Sequence, residues 1–144
     1  MSDHNYFDTF ISVAEDCPVN EAKIPQPRGK SRTVAMMQFD MLHEHPFGHT
    51  QEDVLFEVWL ARQTAAGSVA EGLAEDEVAE LRRQFFAKGQ PCLRASPLTK
   101  THGWGVLFDA DGRAAIFGME TEEYQVHAGD SSLTQLKAMR SKRA

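Results

Sequence analysis

The stretch Trp104-Gly-Val-Leu-Phe-Asp-Ala-Asp-Gly-Arg-Ala-Ala-Ile-Phe117 constrains the fold of this chain more than any other. Two short apolar runs flank Asp109-Ala110-Asp111-Gly112, and Asp-Gly is the dipeptide that supplies the positive backbone angles of a tight hairpin. An antiparallel pair, Trp104–Phe108 with residues 113–117, is therefore predicted. Asp109 and Asp111 also resemble the opening of a calcium loop, but the later ligands of such a loop are missing and the hairpin accounts for both carboxylates.

The rest of the chain must bury that hairpin. Residues 6–13 read as a further strand, because Phe7, Thr9, Ile11 and Val13 alternate with Asp8, Phe10 and Ser12. Residues 33–45 read as a helix with Val34, Met37, Met41 and Leu42 facing inward, ended by Pro46. Thr50 and Asp53 form a capping-box start for a second helix, which runs to about residue 63 and is apolar on nearly every side. Residues 77–88 form a third, with Val78, Leu81 and Phe85 on one stripe, Gly89 as its cap and Pro91 forbidding continuation. A last helix is predicted over residues 131–140, capped by Asp130. These elements predict an α+β fold, a small antiparallel sheet with three or four helices packed on one face.

At 144 residues, with 42% apolar and 25% charged side chains, the chain suits one globular domain. Within it an irregular Pro-rich connection is expected at residues 16–32, a mobile Ala/Gly-rich loop at 64–76 and a basic tail at 137–144. Cys17 and Cys92 lie far apart without CxxC spacing, so neither a disulfide framework nor a zinc site is implied. Met1 to Asn5 is polar and leads into no apolar stretch of signal-peptide type, and no run approaches bilayer length. A cytoplasmic protein without membrane attachment is expected.

The net charge of -6 is unevenly distributed. Residues 1–80 carry fifteen acids against five bases, and residues 109–130 six acids against Arg113. Residues 81–108 carry five bases and no acid, and residues 131–144 four bases and no acid. An acidic protein with two basic segments attracts anions locally while repelling polyanions elsewhere.

The first basic segment holds the candidate site. Were Cys92 to Ser96 extended, Cys92, Arg94 and Ser96 would share one face, and Lys88, Lys100 and His102 would converge on it if the loop folds back. Gly103 and Gly105 leave backbone room around Trp104. Lys88, Arg94, Ser96, Lys100, His102 and Trp104 are thus the candidate ligand-binding residues, weighed against a solvated basic face around a core tryptophan. Cys92 and His102 are the candidates for nucleophile and acid or base, although the helix end preceding Cys92 disfavours a thiolate. His43, His45 and His49 are metal-ligand types, yet residues two apart face different sides of a helix and Pro46 with Gly48 breaks the register, so no metal is expected. The tail from Lys137 to Arg143 lacks the interleaved aromatics that would stack bases.

Four stretches, Thr50-Gln-Glu-Asp-Val-Leu-Phe-Glu-Val58, Phe85-Phe-Ala-Lys-Gly-Gln-Pro-Cys-Leu-Arg-Ala-Ser-Pro-Leu98, Gly103-Trp-Gly105 and Lys137-Ala-Met-Arg-Ser-Lys-Arg143, resemble a family of small bacterial proteins that is a domain of unknown function. The resemblance spans nearly the whole chain, implies a bacterial globular protein and transfers no site. From the residues themselves three classes remain: a binding module for a small anionic ligand or acidic partner through residues 88–104, a thiol or acid/base enzyme there, and a nucleic-acid accessory protein. The first asks least of the residues. No nucleotide-binding glycine loop, nucleophile elbow or paired-carboxylate motif promotes an enzyme, and no cofactor is called for. Assembly into a homo-oligomer is compatible with all three.

Overall fold

Central strands are buried on both faces, and Thr9, Phe10 and Ile11 are all buried, the last two completely. The strand they form lies between two others in the computed structural model, which describes residues 5–27, 29 and 32–140. The order along the chain is β1 (Thr9–Ser12), α1 (Val34–Glu44), β2 (His49–Thr50), α2 (Gln51–Ala65), α3 (Glu75–Ala87) and a 3-10 turn (Leu93–Ala95). It continues with α4 (Pro97–Lys100), β3 (Trp104–Phe108), β4 (Arg113–Gly118), α5 (Glu122–Ala128) and β5 (Thr134–Lys137). Among the described residues the sheet has five strands in the order β2-β4-β3-β1-β5, and the class is α+β as predicted.

The predicted hairpin is β3 and β4, in register from Trp104 opposite Gly118 to Phe108 opposite Ala114. Its connection closes through Asp109 N–H to Arg113 O at 2.9 Å, and Gly112 takes φ +81° there. The Asp109 carboxylate accepts from the amides of Asp111 and Arg113, both at 2.9 Å, so it serves the turn. β1 adds antiparallel to β3, which places Ile11 beside Val106 and, across β3, Ile116. Those side chains meet Phe39 and Leu42 of α1, Val54 and Val58 of α2 and Leu98 of α4 in the main core.

The opposite face carries Phe10, Ala115 and Phe117, and α5 covers it. Tyr124 meets the Phe10 ring edge-on at 5.2 Å, His127 lies against Phe117, and the Tyr124 hydroxyl accepts from Val13 N–H at 2.9 Å. Helices therefore cover both faces, where the sequence led us to expect one. Gly105 makes this layer close: a Cβ there would lie 2.6 Å from both the Phe10 and Tyr124 rings.

The helix starts follow the sequence closely. Thr33 caps α1 by accepting from Met36 N–H. At α2, Thr50 accepts from Asp53 N–H while Asp53 accepts from Thr50 N–H, the complete capping box. α2 is packed on several sides, with Val54 and Val58 in the core and Trp59 against Phe85 of α3 at 5.2 Å. α3 has no buried residue; it is held through Phe85 and through Arg82, which reaches Asp53 at 3.0 Å and lies over the Phe56 and Phe86 rings.

Three local expectations need correction. Gly89 does not cap α3 with a positive φ; the Gln90 side chain donates to Phe85 O at 2.7 Å and satisfies one carbonyl of the last turn. Cys92 to Ser96 is not extended but forms the 3-10 turn, which separates the side chains expected to share a face. No helix forms over residues 131–140; β5 lies there, parallel to β1, with Leu136 beside Ile11. Asp130 accepts from Ser132 N–H in a turn that leads into the strand, and Thr134 N–H then bonds to Asp8 O. Without β5 the outer edge of β1 would be left with unpaired backbone groups, and the pairing removes them. Among the described residues no helix is long and apolar enough to cross a membrane.

Candidate functional site

Within the Pro-rich connection, Ala22 and Lys23 are fastened to the end of the sheet. Lys23 N–H donates to His102 O at 2.8 Å, the Trp104 indole donates to Lys23 O at 2.9 Å, and Ala22 N–H donates to the Glu120 carboxylate at 2.8 Å. These bonds fix Lys23 beside His102 and make the connection one wall of a cleft of about 770 Å³. The other walls are the first turn of α1, the last turn of α2 and the α4 segment.

Among the described residues four basic side chains line this cleft, Lys23, Arg32, Arg62 and His102, and no carboxylate does. Lys23 pairs with Glu21 at 2.9 Å and Arg32 with Asp40, both in exposed pairs. Such pairs are worth about 0–1 kcal/mol and are readily exchanged for another anion. Arg62 has no ion-pair partner among the described residues. Thr33, Val34 and Ala35 bring the positive end of α1 to the cleft, and that first turn holds no acid.

His102 has a defined orientation. Its Nδ1 lies 3.0 Å from Pro97 O and 2.9 Å from Thr101 Oγ. Either tautomer keeps Nδ1 engaged within the α4 segment, donating to the Pro97 carbonyl or accepting from the Thr101 hydroxyl. Nε2 is then left for a ligand, as an acceptor or a donor according to the tautomer.

Of the six predicted ligand-binding residues, His102 alone lines this cleft. Lys88 ends α3 and borders a separate groove of about 240 Å³ with Trp59 and Gln90. Arg94 donates through Nε to Lys137 O at 2.7 Å, while Met139 N–H donates to Arg94 O, so it brackets the outer edge of β5. Ser96 is buried, caps α4 by accepting from Leu98 N–H and is bonded to Gln38. Lys100 ends α4, and Trp104 packs on Phe39 besides holding Lys23. Lys23, Arg32 and Arg62 were the residues missed. Residues 22–39 hold Lys23, Arg28, Lys30 and Arg32 with no acid, a signal hidden when the N-terminal half is counted as one acidic block. Arg28 and Lys30 themselves lie outside the described residues.

The remaining candidates are placed apart. Cys92 is half-buried at the start of the 3-10 turn, and the hydrogen bonds of His102 go to Thr101 and Pro97 rather than to it. The thiol neighbours Tyr6 instead: burial first, and then the hydrogen bond with Cys92, push the Tyr6 phenol up to about 12. His43 stacks on Phe39 at 4.8 Å, and His45 faces His49 at 5.7 Å between ring centres. Among the described residues no three His, Cys, Asp or Glu side chains are grouped to hold a metal ion.

Fold and cleft together define a small α+β protein with a basic recess at one end of its sheet. A family model described as a family of unknown function (DUF6157) matches residues 1–144, and the chain belongs to that family. No curated protein and no solved structure matches it.

Proposed function

We propose that this protein is a binding module for a small anionic ligand, which it takes in the cleft between the fastened connection, α1, α2 and α4. The observation that carries the reading is the convergence of Lys23 and Arg32 of the connection, Arg62 of α2 and His102 after α4, from three separate stretches of chain, on one recess lined by no carboxylate among the described residues. Like charges brought together repel, and a bound anion relieves that repulsion. The pairs of Lys23 with Glu21 and Arg32 with Asp40 are exposed and exchangeable, and Arg62 supplies a planar fork suited to two oxygens at once. The net charge of -6 favours a small anion over a polyanion, because the surface away from the cleft repels an extended one.

Thermal unfolding with phosphate, sulfate and simple carboxylates tests this. A ligand at a hundredfold excess over its Kd raises the melting temperature by about 5–10 °C. Arg62→Gln, on an exposed position in the last turn of α2, is expected to melt like the wild type without ligand and to lose most of that rise. An absence of any anion effect on the wild type, or an effect that survives Arg62→Gln combined with Lys23→Gln, refutes the reading.

A further inference from the structure

The depth of each lining residue, together with the charges, gives the ligand's chemical class. Lys23, Arg32 and Arg62 are exposed and form a cationic rim. Val19, Val34, Ala35 and Pro97 lie deeper, half-buried or buried, and form an apolar floor on which Thr33, Thr101 and His102 place the polar atoms. A site for a bare inorganic anion has no use for such a floor, since phosphate or sulfate is bound by donors on all sides. Ile24 adds a second indication. Its side chain is 62% exposed although it stands on the rim with three cations, and among the exposed large apolar side chains of the described residues only Val126 is more open. Covering Ile24 and the floor requires a hydrocarbon surface, and satisfying the rim requires a negative charge attached to it.

We infer that the cleft binds an amphipathic organic monoanion, a carboxylate with an alkyl or aryl body, whose charged group sits among Lys23, Arg32 and Arg62 and whose body lies on Val19, Val34 and Pro97 against Ile24. This rests on the anion-binding reading above and specifies its ligand. His102 then acts at the floor through Nε2, giving a polar partner to a hydroxyl or carbonyl carried by the body. The volume of about 770 Å³ accommodates a molecule of metabolite size with room for water.

Calorimetric titration of the full chain with acetate, butanoate, hexanoate, phenylacetate, hexanol and phosphate decides it. Each methylene fully taken from water tightens binding by about fourfold, so partial burial of the added chain makes hexanoate bind about tenfold or more tighter than acetate. Hexanol, with the same body and no charge, is expected to bind at least tenfold more weakly than hexanoate. Ile24→Ser, at an exposed position, is expected to remove much of the hexanoate advantage and leave acetate unchanged. If acetate, hexanoate and phosphate bind equally, the inference fails while the anion-binding reading stands. If no anion binds, both fail, and if hexanol matches hexanoate in both wild type and Arg62→Gln, the cleft is an apolar pocket and both fail again.

Discussion

Arg94→Ala separates a structural from a ligand-binding role for the residue that the sequence placed at the centre of its basic segment. In the structure the guanidinium donates to Lys137 O at 2.7 Å, and the Arg94 carbonyl accepts from Met139 N–H at 2.8 Å. The substitution removes the first bond and keeps the second. A hydrogen bond from a charged group is worth about 1.5–3 kcal/mol. This one is exposed, so water replaces the lost donor at the carbonyl, and the expected loss falls to about 1 kcal/mol. Stranding the partner of a buried ion pair would cost about 3–5 kcal/mol instead. About 1 kcal/mol lowers the melting temperature by about 2–4 °C in a chain of this size. Because the bond holds the outer edge of β5, amide exchange should accelerate first at Ala138 and Met139, whose N–H groups bond to Ser12 O and Arg94 O. The anion response, by contrast, should be intact. Urea unfolding, exchange by NMR and thermal shift with anions measure the three consequences. A loss above about 3 kcal/mol, or an anion response that vanishes with Arg94, would show that the bracket is not its role.

Three further substitutions test the capping of α2 and the packing of α5 on the sheet. Burial raises the Asp53 carboxyl, but the Thr50 amide and then Arg82 more than offset this and hold it below the usual value of 3.8. Its stabilisation is therefore complete above about pH 4 and is lost as pH falls through the lower folded-state pKa. Asp53→Asn should cost about 1 kcal/mol at pH 7, a figure kept small by the partial exposure of the Arg82 pair, and the gap from wild type in urea unfolding should shrink toward pH 3; a gap that does not change with pH contradicts this. Gly105→Ala forces a Cβ to 2.6 Å from the Phe10 and Tyr124 rings and should cost about 1–3 kcal/mol, whereas Gly89→Ala, with nothing within 4 Å, should leave stability nearly unchanged; equal melting temperatures for the two variants refute the close packing of α5 on the sheet.

Features written in a few adjacent residues were legible in the sequence. The hairpin is specified by alternation around Asp111-Gly112, and the start of α2 by Thr50 and Asp53, whose side chains each accept from the other's backbone N–H. β5 was not legible, because what makes residues 134–137 a strand is the parallel edge of β1, more than 120 residues away. Locally Leu133 and Leu136 stand three apart, a helical spacing, and an Asp before them is as good a helix cap as a turn former. α5 was missed for the related reason that it is seven residues long and owes its position to Tyr124 and His127 against the far face of the sheet.

The cleft raises the same question at the level of charge. Residues 88–104 looked like a site because bases are dense there, but density along the chain brings charges together in space only where the backbone stays extended or closes on itself. The 3-10 turn and α4 instead distribute this segment, sending Arg94 to β5, Ser96 into the core and His102 into the cleft. The cations that join His102 come from residues 23, 32 and 62, and what brings the first of them there is a set of backbone bonds to His102, Trp104 and Glu120. Those donors and acceptors are main-chain groups or common side chains, so the sequence carries no mark of them. The run of four bases and no acid over residues 22–39 was visible, however, and a shorter counting window would have set it beside residues 81–108 as a second basic segment. Two basic segments far apart in a chain of net charge -6 are each expected to find acids nearby. Lys23, paired with Glu21, and His102, one from each, are neighbours joined through their backbones, and the proposed anion site rests on that arrangement.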